Sequence, residues 1–197
     1  MTDAVRSFVA VPLPGEIQSR IFAAAQELAR ALPQSGVKWS RKVENLHITV
    51  KFLGPVDEAK LTVLGNELAQ ALAPLPRFPL ELRRMGAFPS AHKASVVWAG
   101  VDDVARGLAT VADAVEGVAE RLGFARERRP FTGHVTVGRS KGRGGIDARA
   151  APNAFAHHEF GGTTIEEVHV YESRLGRGPD SDGSTYVLRS RAALASN

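Results

Sequence analysis

Apolar residues along this chain recur at two spacings, and the spacing divides the chain into strands and helices. Phe8, Val9, Ala10 and Val11 mark a strand over Arg6–Leu13, closed by Pro14-Gly15. Ile17, Ile21, Ala24, Leu28 and Leu32 then fall at helical spacing over Glu16–Leu32, and Pro33 stops the run. A short extended piece, Val37–Trp39, precedes a strand over Leu46–Leu53 that Gly54-Pro55 is expected to close. Asp57 is placed to cap a helix running to Leu72. The proline-rich stretch Pro74–Pro79 reads as a linker before strands over Leu80–Phe88 and Ser95–Val101. A third helix is expected from Asp102 to Leu122, with Asp102 or Asp103 as its cap and Gly123 as its stop. Beyond it lie a strand over Thr132–Ser140, a loop of Gly and basic residues over Lys141–Gly145, and strands over Thr164–Tyr171 and Thr185–Ser190. A turn at Gly176–Asp180 joins the last two. Strands, hairpins and helices mixed in this order indicate an α+β fold rather than a wound parallel sheet.

Two of the strands carry the same phrase. Leu46-His47-Ile48-Thr49-Val50 and Gly133-His134-Val135-Thr136-Val137 stand 87 positions apart, in a chain with six histidines. Strand alternation puts His47 and Thr49 on one face and Leu46, Ile48, Val50 and Phe52 on the other. It likewise separates His134 and Thr136 from Val135 and Val137. A His and a Thr two positions apart lie roughly 6–7 Å apart along a strand, within reach of one small anion. The order helix, then His-x-Thr strand, occurs twice, which suggests two pseudo-symmetric lobes facing one cleft.

Composition narrows the chemistry. The 197 residues are enough to bury a core, and 44% hydrophobic with 23% charged residues is ordinary for a globular chain. The chain has no cysteine, so thiolate nucleophiles, disulfides and Cys-based metal sites are excluded. No Gly-x-Ser-x-Gly elbow, P-loop or Gly-x-Gly-x-x-Gly fingerprint occurs. No carboxylate lies within three positions of His134, and each motif strand supplies one histidine, so neither a metal nor another cofactor is expected. No apolar run approaches the ~20 residues that span a bilayer. The opening Met1–Arg6 lacks a signal-peptide pattern, so a cytoplasmic protein without a membrane partner is expected.

The net charge is +4, and its placement matters more than its size. From Arg121 to Ala150 eight basic residues face two acidic ones, and this segment surrounds the second His-x-Thr. Lys38, Arg41 and Lys42 precede the first. Both flanks suit a polyanionic ligand. Two imidazoles could share acid–base work at a phosphate ester, one neutral and one protonated, while the two Thr hydroxyls donate to the non-bridging oxygens. Arg139, Arg128 and Lys51 are candidates for added positive charge. His92, His157, His158 and His169 read as structural or solvated. Trp39, Trp98 and Tyr171 could stack on a base, although buried aromatics are the commoner case.

The stretches Asn45-Leu46-His47-Ile48-Thr49-Val50-Lys51-Phe52-Leu53-Gly54 and Arg129-Pro130-Phe131-Thr132-Gly133-His134-Val135-Thr136-Val137-Gly138-Arg139 resemble the 2H phosphoesterase superfamily. More narrowly they are similar to the RNA 2′,3′-cyclic phosphodiesterases, historically called 2′-5′ RNA ligases. Phe8–Pro14, Val96–Val101, Tyr171–Leu175, Gly178-Pro179 and Tyr186 extend the resemblance over nearly the whole chain. It implies a single two-lobed α+β domain over 1–197, with antiparallel sheets, helices outside and a central cleft. It also implies metal-free opening of an RNA or nucleotide 2′,3′-cyclic phosphate to a 2′-phosphomonoester. By motif match His47 and His134 are the implied catalytic pair, and Thr49, Thr136 and Arg139 the implied substrate contacts. The family pattern suggests His47 as acid and His134 as base. Alternation puts Arg139 on the face away from His134, so the strand must deviate for Arg139 to serve. The family usually has Pro before the second His, where this chain has the looser Gly133. RNA 3′ ends or cyclic nucleotides are the expected partners, of a monomer. The reverse reaction, 2′-5′ ligation, and a non-catalytic RNA-end-binding module are the alternatives.

Overall fold

The computed structural model describes residues 4–32, 36–142, 144–176 and 183–196. The Pro33 stop, Arg143, and Arg177 to Asp180 of the last turn (with Gly178 and Pro179 of the resemblance) lie outside the described residues, as do Met1, Thr2 and Asp3. The elements in order are β1 (Val5–Val11), α1 (Gly15–Ala31), β2 (Val37–Trp39), β3 (Ile48–Val56), α2 (Glu58–Leu72), β4 (Phe78–Phe88), β5 (Val96–Asp102), α3 (Gly107–Arg121), β6 (His134–Ser140), α4 (Ala150–Ala154), β7 (Glu159–Ile165), β8 (Glu167–Leu175) and β9 (Ser184–Ala193).

Every strand pairing is antiparallel, and the strands form one curled sheet in the order β7-β4-β5-β6-β3-β1-β8-β9, with β2 added beside β6. The sheet has two four-stranded halves that meet where β3 touches β6, Ile48 opposite Val135. Helices cover the outer face. Helix α1 follows β1 of one half but packs on β2, β6 and β7 of the other, while α3 follows β5 and packs on α2 and β3. Each half therefore lends a helix to its neighbour, which ties the two together. The apolar stripe of α1 is buried as its spacing requires, with Ile17, Ile21, Ala24 and Leu28 all in the core. Asp57 caps α2, its carboxylate accepting from Lys60 N–H at 2.8 Å.

The structure corrects several boundaries. Strand β3 runs through Gly54-Pro55 to Val56. Pro55 is tolerated because this end of β3 pairs with β1 alone, so the missing N–H faces an unpaired edge. Helix α3 begins five residues beyond Asp102, which stays in β5 and holds Arg83 and Arg84. The cap comes from Asp103, whose Oδ2 accepts the Ala109 N–H at 2.9 Å. The single strand expected over Thr164–Tyr171 is the end of β7 and most of β8, parted at Glu166. The start of β7 carries Gly161-Gly162, which erases the alternation that marks a strand.

The correction that matters most for the cleft lies in β3. Ala10 faces Thr49 and Val9 faces Lys51, so Val50 is an extra residue, a β-bulge. Val50 and Lys51 therefore both point toward the helices. Lys51 leaves the face of His47, is 2% exposed, and donates to Glu116 Oε1 of α3 at 2.7 Å and to the Ala125 carbonyl at 2.9 Å. It is a buried structural cation rather than a charge in the cleft. Phe52, expected in the core, turns to the concave face and is 58% exposed.

Removing one partner of a buried pair strands the other, whereas replacing both with apolar groups need not destabilise. Lys51→Met should therefore cost about 3–5 kcal/mol in urea unfolding. Lys51→Met combined with Glu116→Leu should recover most of that loss. Equal destabilisation by the single and double variants would contradict this account.

Candidate active site

The concave face of the sheet holds a cavity of about 620 Å³ that crosses the junction of the halves. His47, Thr49 and Phe52 of the β3 segment line it together with Thr136 and Arg139 of β6. Thus four of the five residues singled out by sequence share one wall. His134, two residues before Thr136 on the same face, is near enough for its charge to bear on His47.

Arg139 reaches this face by the same device that moved Phe52. Trp98 faces Thr136 and Val97 faces Gly138, so Val137 is the extra residue of a second bulge. The two bulges stand at equivalent positions, each one residue after the Thr of its motif. Residues 87 apart then correspond: His47 with His134, Thr49 with Thr136, Lys51 with Gly138, and Phe52 with Arg139. One half presents an aromatic ring and the other a guanidinium to the same cavity. Simple alternation misplaces both.

The imidazoles are held alike. His47 Nδ1 lies 2.8 Å from the Asn45 carbonyl, and His134 Nδ1 lies 2.8 Å from the Thr132 carbonyl. A carbonyl only accepts, so each Nδ1 carries the proton and each Nε2 is left for the cleft. Thr49 Oγ1 is 3.1 Å from His47 Nε2 and donates to it when the ring is neutral. Aromatic walls fix both rings. Phe8 stacks on His47 at 4.8 Å between centroids, and Tyr186 meets it edge-on at 5.3 Å. Phe88 meets His134 edge-on at 5.2 Å, with Trp98 behind it.

Burial pushes His47 down to about 4, opposed by its bond to the Asn45 carbonyl and reinforced by the charges of Arg139 and His134. Burial also lowers His134, against the pull of the Thr132 carbonyl and with a further push from Arg139. Both rings are therefore neutral near pH 7 in the empty cleft. An anion between them would reverse part of this shift, because it stabilises the imidazolium form.

The remaining candidates separate cleanly. Arg128 lies with Arg126, Arg129, Phe124 and Phe52 along a groove that adjoins the cavity at the Phe52 ring. Lys38, Arg41 and Trp39 line the cavity itself, whereas Lys42 turns away and donates to Thr185 Oγ1 at 3.4 Å. His169 is buried between Glu167 Oε1 at 2.7 Å and the Tyr171 hydroxyl at 2.8 Å, a satisfied structural histidine as expected. His92, His157 and His158 are exposed. A Cβ at Gly133 would come within 2.7 Å of Leu108 Cδ2, so glycine rather than proline suits the close approach of α3 here. Phe8 and Phe52 were not recognised as cleft residues from sequence. The signal for Phe52 is the bulge after Thr49, visible only in its pairing with β1, and Phe8 reaches the cavity opposite Phe52 in that same pairing.

Among the described residues no helix is long and apolar enough to cross a membrane. Residues 11–98 match the family model for LigT-like phosphoesterases. Over 132 residues the chain is 36% identical to the RNA 2′,3′-cyclic phosphodiesterase of Aeropyrum pernix, covering 67% of this chain and 72% of that one. It is 32% identical over 171 residues to the enzyme of the same name from Archaeoglobus fulgidus, covering 87% and 92%. The crystal structure of Escherichia coli LigT in apo form superposes with a TM-score of 0.74 at 28% identity, covering 98% of this chain and 99% of that one. The complex of that protein with 3′-AMP gives 0.73 at 27% identity, over 97% and 98%. Two His-x-Thr strands meeting in one curled antiparallel sheet, and relatives matched over most of their length, establish that this chain belongs to the LigT-like phosphoesterase family.

Proposed function

We propose that the protein opens RNA 2′,3′-cyclic phosphates to 2′-phosphomonoesters by acid–base catalysis between His47 and His134. The observation that carries this is the matched presentation of two imidazole Nε2 atoms on strands that meet at one point, with Thr49, Thr136 and Arg139 beside them. Relatives named RNA 2′,3′-cyclic phosphodiesterase support the substrate class.

In-line displacement at phosphorus needs a base on the attacking side and an acid on the leaving side. Neutral His134 takes a proton from water through Nε2, and protonated His47 delivers one from Nε2 to the departing 3′ oxygen. Thr49 and Thr136 donate to the non-bridging oxygens, and Arg139 balances the charge that builds there. Phe52 and Tyr186 offer ring surface for the base of the terminal nucleoside. The negative charge of the substrate is what allows His47, so hard to protonate in the empty cleft, to act as the acid. Both halves work as one catalytic unit, and one chain supplies every group, so a monomer suffices. A cytoplasmic location goes with this reading.

The direct test is an assay on cyclic-phosphate-ended oligonucleotides in the presence of EDTA, with 2′ and 3′ products resolved. Turnover to 2′ ends should persist in the chelator, and His47→Ala and His134→Ala should each lose about 10²–10⁴ in rate. Either variant keeping a tenth of the wild-type rate, or restoration of a chelated enzyme by one divalent metal, would remove the basis for this mechanism.

The pH profile follows from the shifts. Only the singly protonated pair has an acid and a base together. Burial holds His47 down at about 4 and His134 below its ordinary 6.5, so both rings are protonated in strong acid and both are neutral above pH 6.5. The kcat/KM bell, which reports the free enzyme, should therefore centre below pH 6.5, while the kcat bell should sit higher because bound substrate favours imidazolium. A kcat/KM optimum above pH 7 would contradict the burial account.

The groove with Arg126, Arg128 and Arg129 extends the cleft for a longer strand. Phosphate contacts there release counterions, so KM for an oligonucleotide should rise with salt more steeply than KM for a cyclic mononucleotide. Arg128→Gln with Arg129→Gln should flatten that difference. Identical salt slopes for the wild type on long and short substrates would show that these arginines serve only the solvated surface.

A further inference from the structure

Resting on the activity just proposed, we infer that β2 adds a second anion site to the cleft. Lys38, facing Arg139, would bind the phosphate on the 5′ side of the nucleoside whose cyclic phosphate is opened. The pairing of β2 with β6 sets Lys38 directly across from Arg139. Directly opposed residues on one face lie about 4.5–5.5 Å apart at Cβ, and like charges so placed repel. Here both side chains line the cavity. Arg6 lines it too, and no carboxylate occurs among the described lining residues. A cyclic phosphodiester carries a single negative charge, which Arg139 can answer alone. The surplus of cations matches a ligand with more than one phosphate.

The strand that carries Lys38 is itself a departure from the symmetry of the sheet. It pairs outside the eight-strand path, beside β6 only, and among the described residues β3 has no equivalent strand at its side. The chain makes room for it at Gly138. A Cβ there would fall 2.7 Å from Val37 Cγ1 and 2.9 Å from Trp39 Cε3. The corresponding position in the other half holds Lys51, which reaches into the helices instead. Two backbone bonds seat β2 at its ends, Ser40 N–H to the Val137 carbonyl at 2.8 Å and Lys141 N–H to the Gly36 carbonyl at 2.9 Å. With Val37 buried against Gly138, the next residue Lys38 points to the opposite face, into the cavity.

Calorimetric binding reads this site without relying on turnover. The ligands are adenosine 2′-monophosphate, adenosine 2′,5′-bisphosphate and a diadenosine ending in a 2′-phosphate. Wild-type protein should bind the bisphosphate, the dinucleotide or both about tenfold tighter than the monophosphate, the size of one charge-assisted contact. Lys38→Gln should erase that preference and Lys38→Arg should keep it. A preference confined to the bisphosphate identifies a terminal 5′-phosphate as the occupant, and one shared by the dinucleotide identifies the chain phosphodiester. No preference in the wild type, or a preference that survives Lys38→Gln, would overturn the inference. Hydrolysis of adenosine 2′,3′-cyclic phosphate, measured alongside, tests the proposed activity separately.

Discussion

Ile48 and Val135 face each other across the seam between the two halves of the sheet, and both are wholly buried. This is the point from which the cleft is built. Each residue sits between the His and the Thr of its own motif, so the contact fixes all four polar side chains at once. The strands then diverge, β3 toward β1 and β6 toward β5 and β2, and the divergence leaves a hollow instead of a flat sheet. Because the two residues are apolar and without solvent access, slippage would expose them while burying the histidines, and the register is held by that penalty. The exchanged helices α1 and α3 hold the halves in place from behind.

A hollow built this way is dry enough to alter the groups inside it. Phe8 stacked on His47 and Tyr186 set edge-on to it bury the imidazole, and its proton affinity falls. The same environment weakens screening, so a bound anion interacts more strongly with Arg139 and the rings than it would in water. Backbone carbonyls at Asn45 and Thr132 settle which nitrogen carries the proton and which is left for the cavity. The imidazoles are thus set by burial and backbone geometry more than by charged side chains. Among the described residues, Arg139 is the charge that bears on both imidazoles.

The halves are alike in plan and unlike in what they deliver. A bulge after each Thr sends one residue toward the helices and the next into the cavity. In the first half these are Lys51 and Phe52, a buried tie to α3 and an exposed ring. In the second they are Gly138 and Arg139, a space that admits β2 and a cation on the cavity wall. The shared plan sets two matched imidazoles on one face, and the differences between the halves set an aromatic ring and a guanidinium beside them.

Sequence by itself carried the elements and the chemistry. Helical spacing in α1 and α2, the Asp57 cap and the two His-x-Thr phrases are local patterns, set by residues that touch their near neighbours, and all can be read along the chain. The resemblance carried by Asn45–Gly54 and Arg129–Arg139 extended that reading to a fold and a reaction. Tertiary structure decided what depends on pairing partners. Whether Val50 and Val137 sit in regular strand or in a bulge is settled by β1 and β5, so the facing of Lys51, Phe52 and Arg139 could not follow from alternation. The start of α3 was decided by Asp102 pairing with Arg83 and Arg84 of a neighbouring strand, and β7 was hidden by glycines that only its pairing with β4 makes into a strand. Periodicity reports which residues tend to share a face, but a single inserted residue inverts that face, and only the strand alongside determines where the insertion falls.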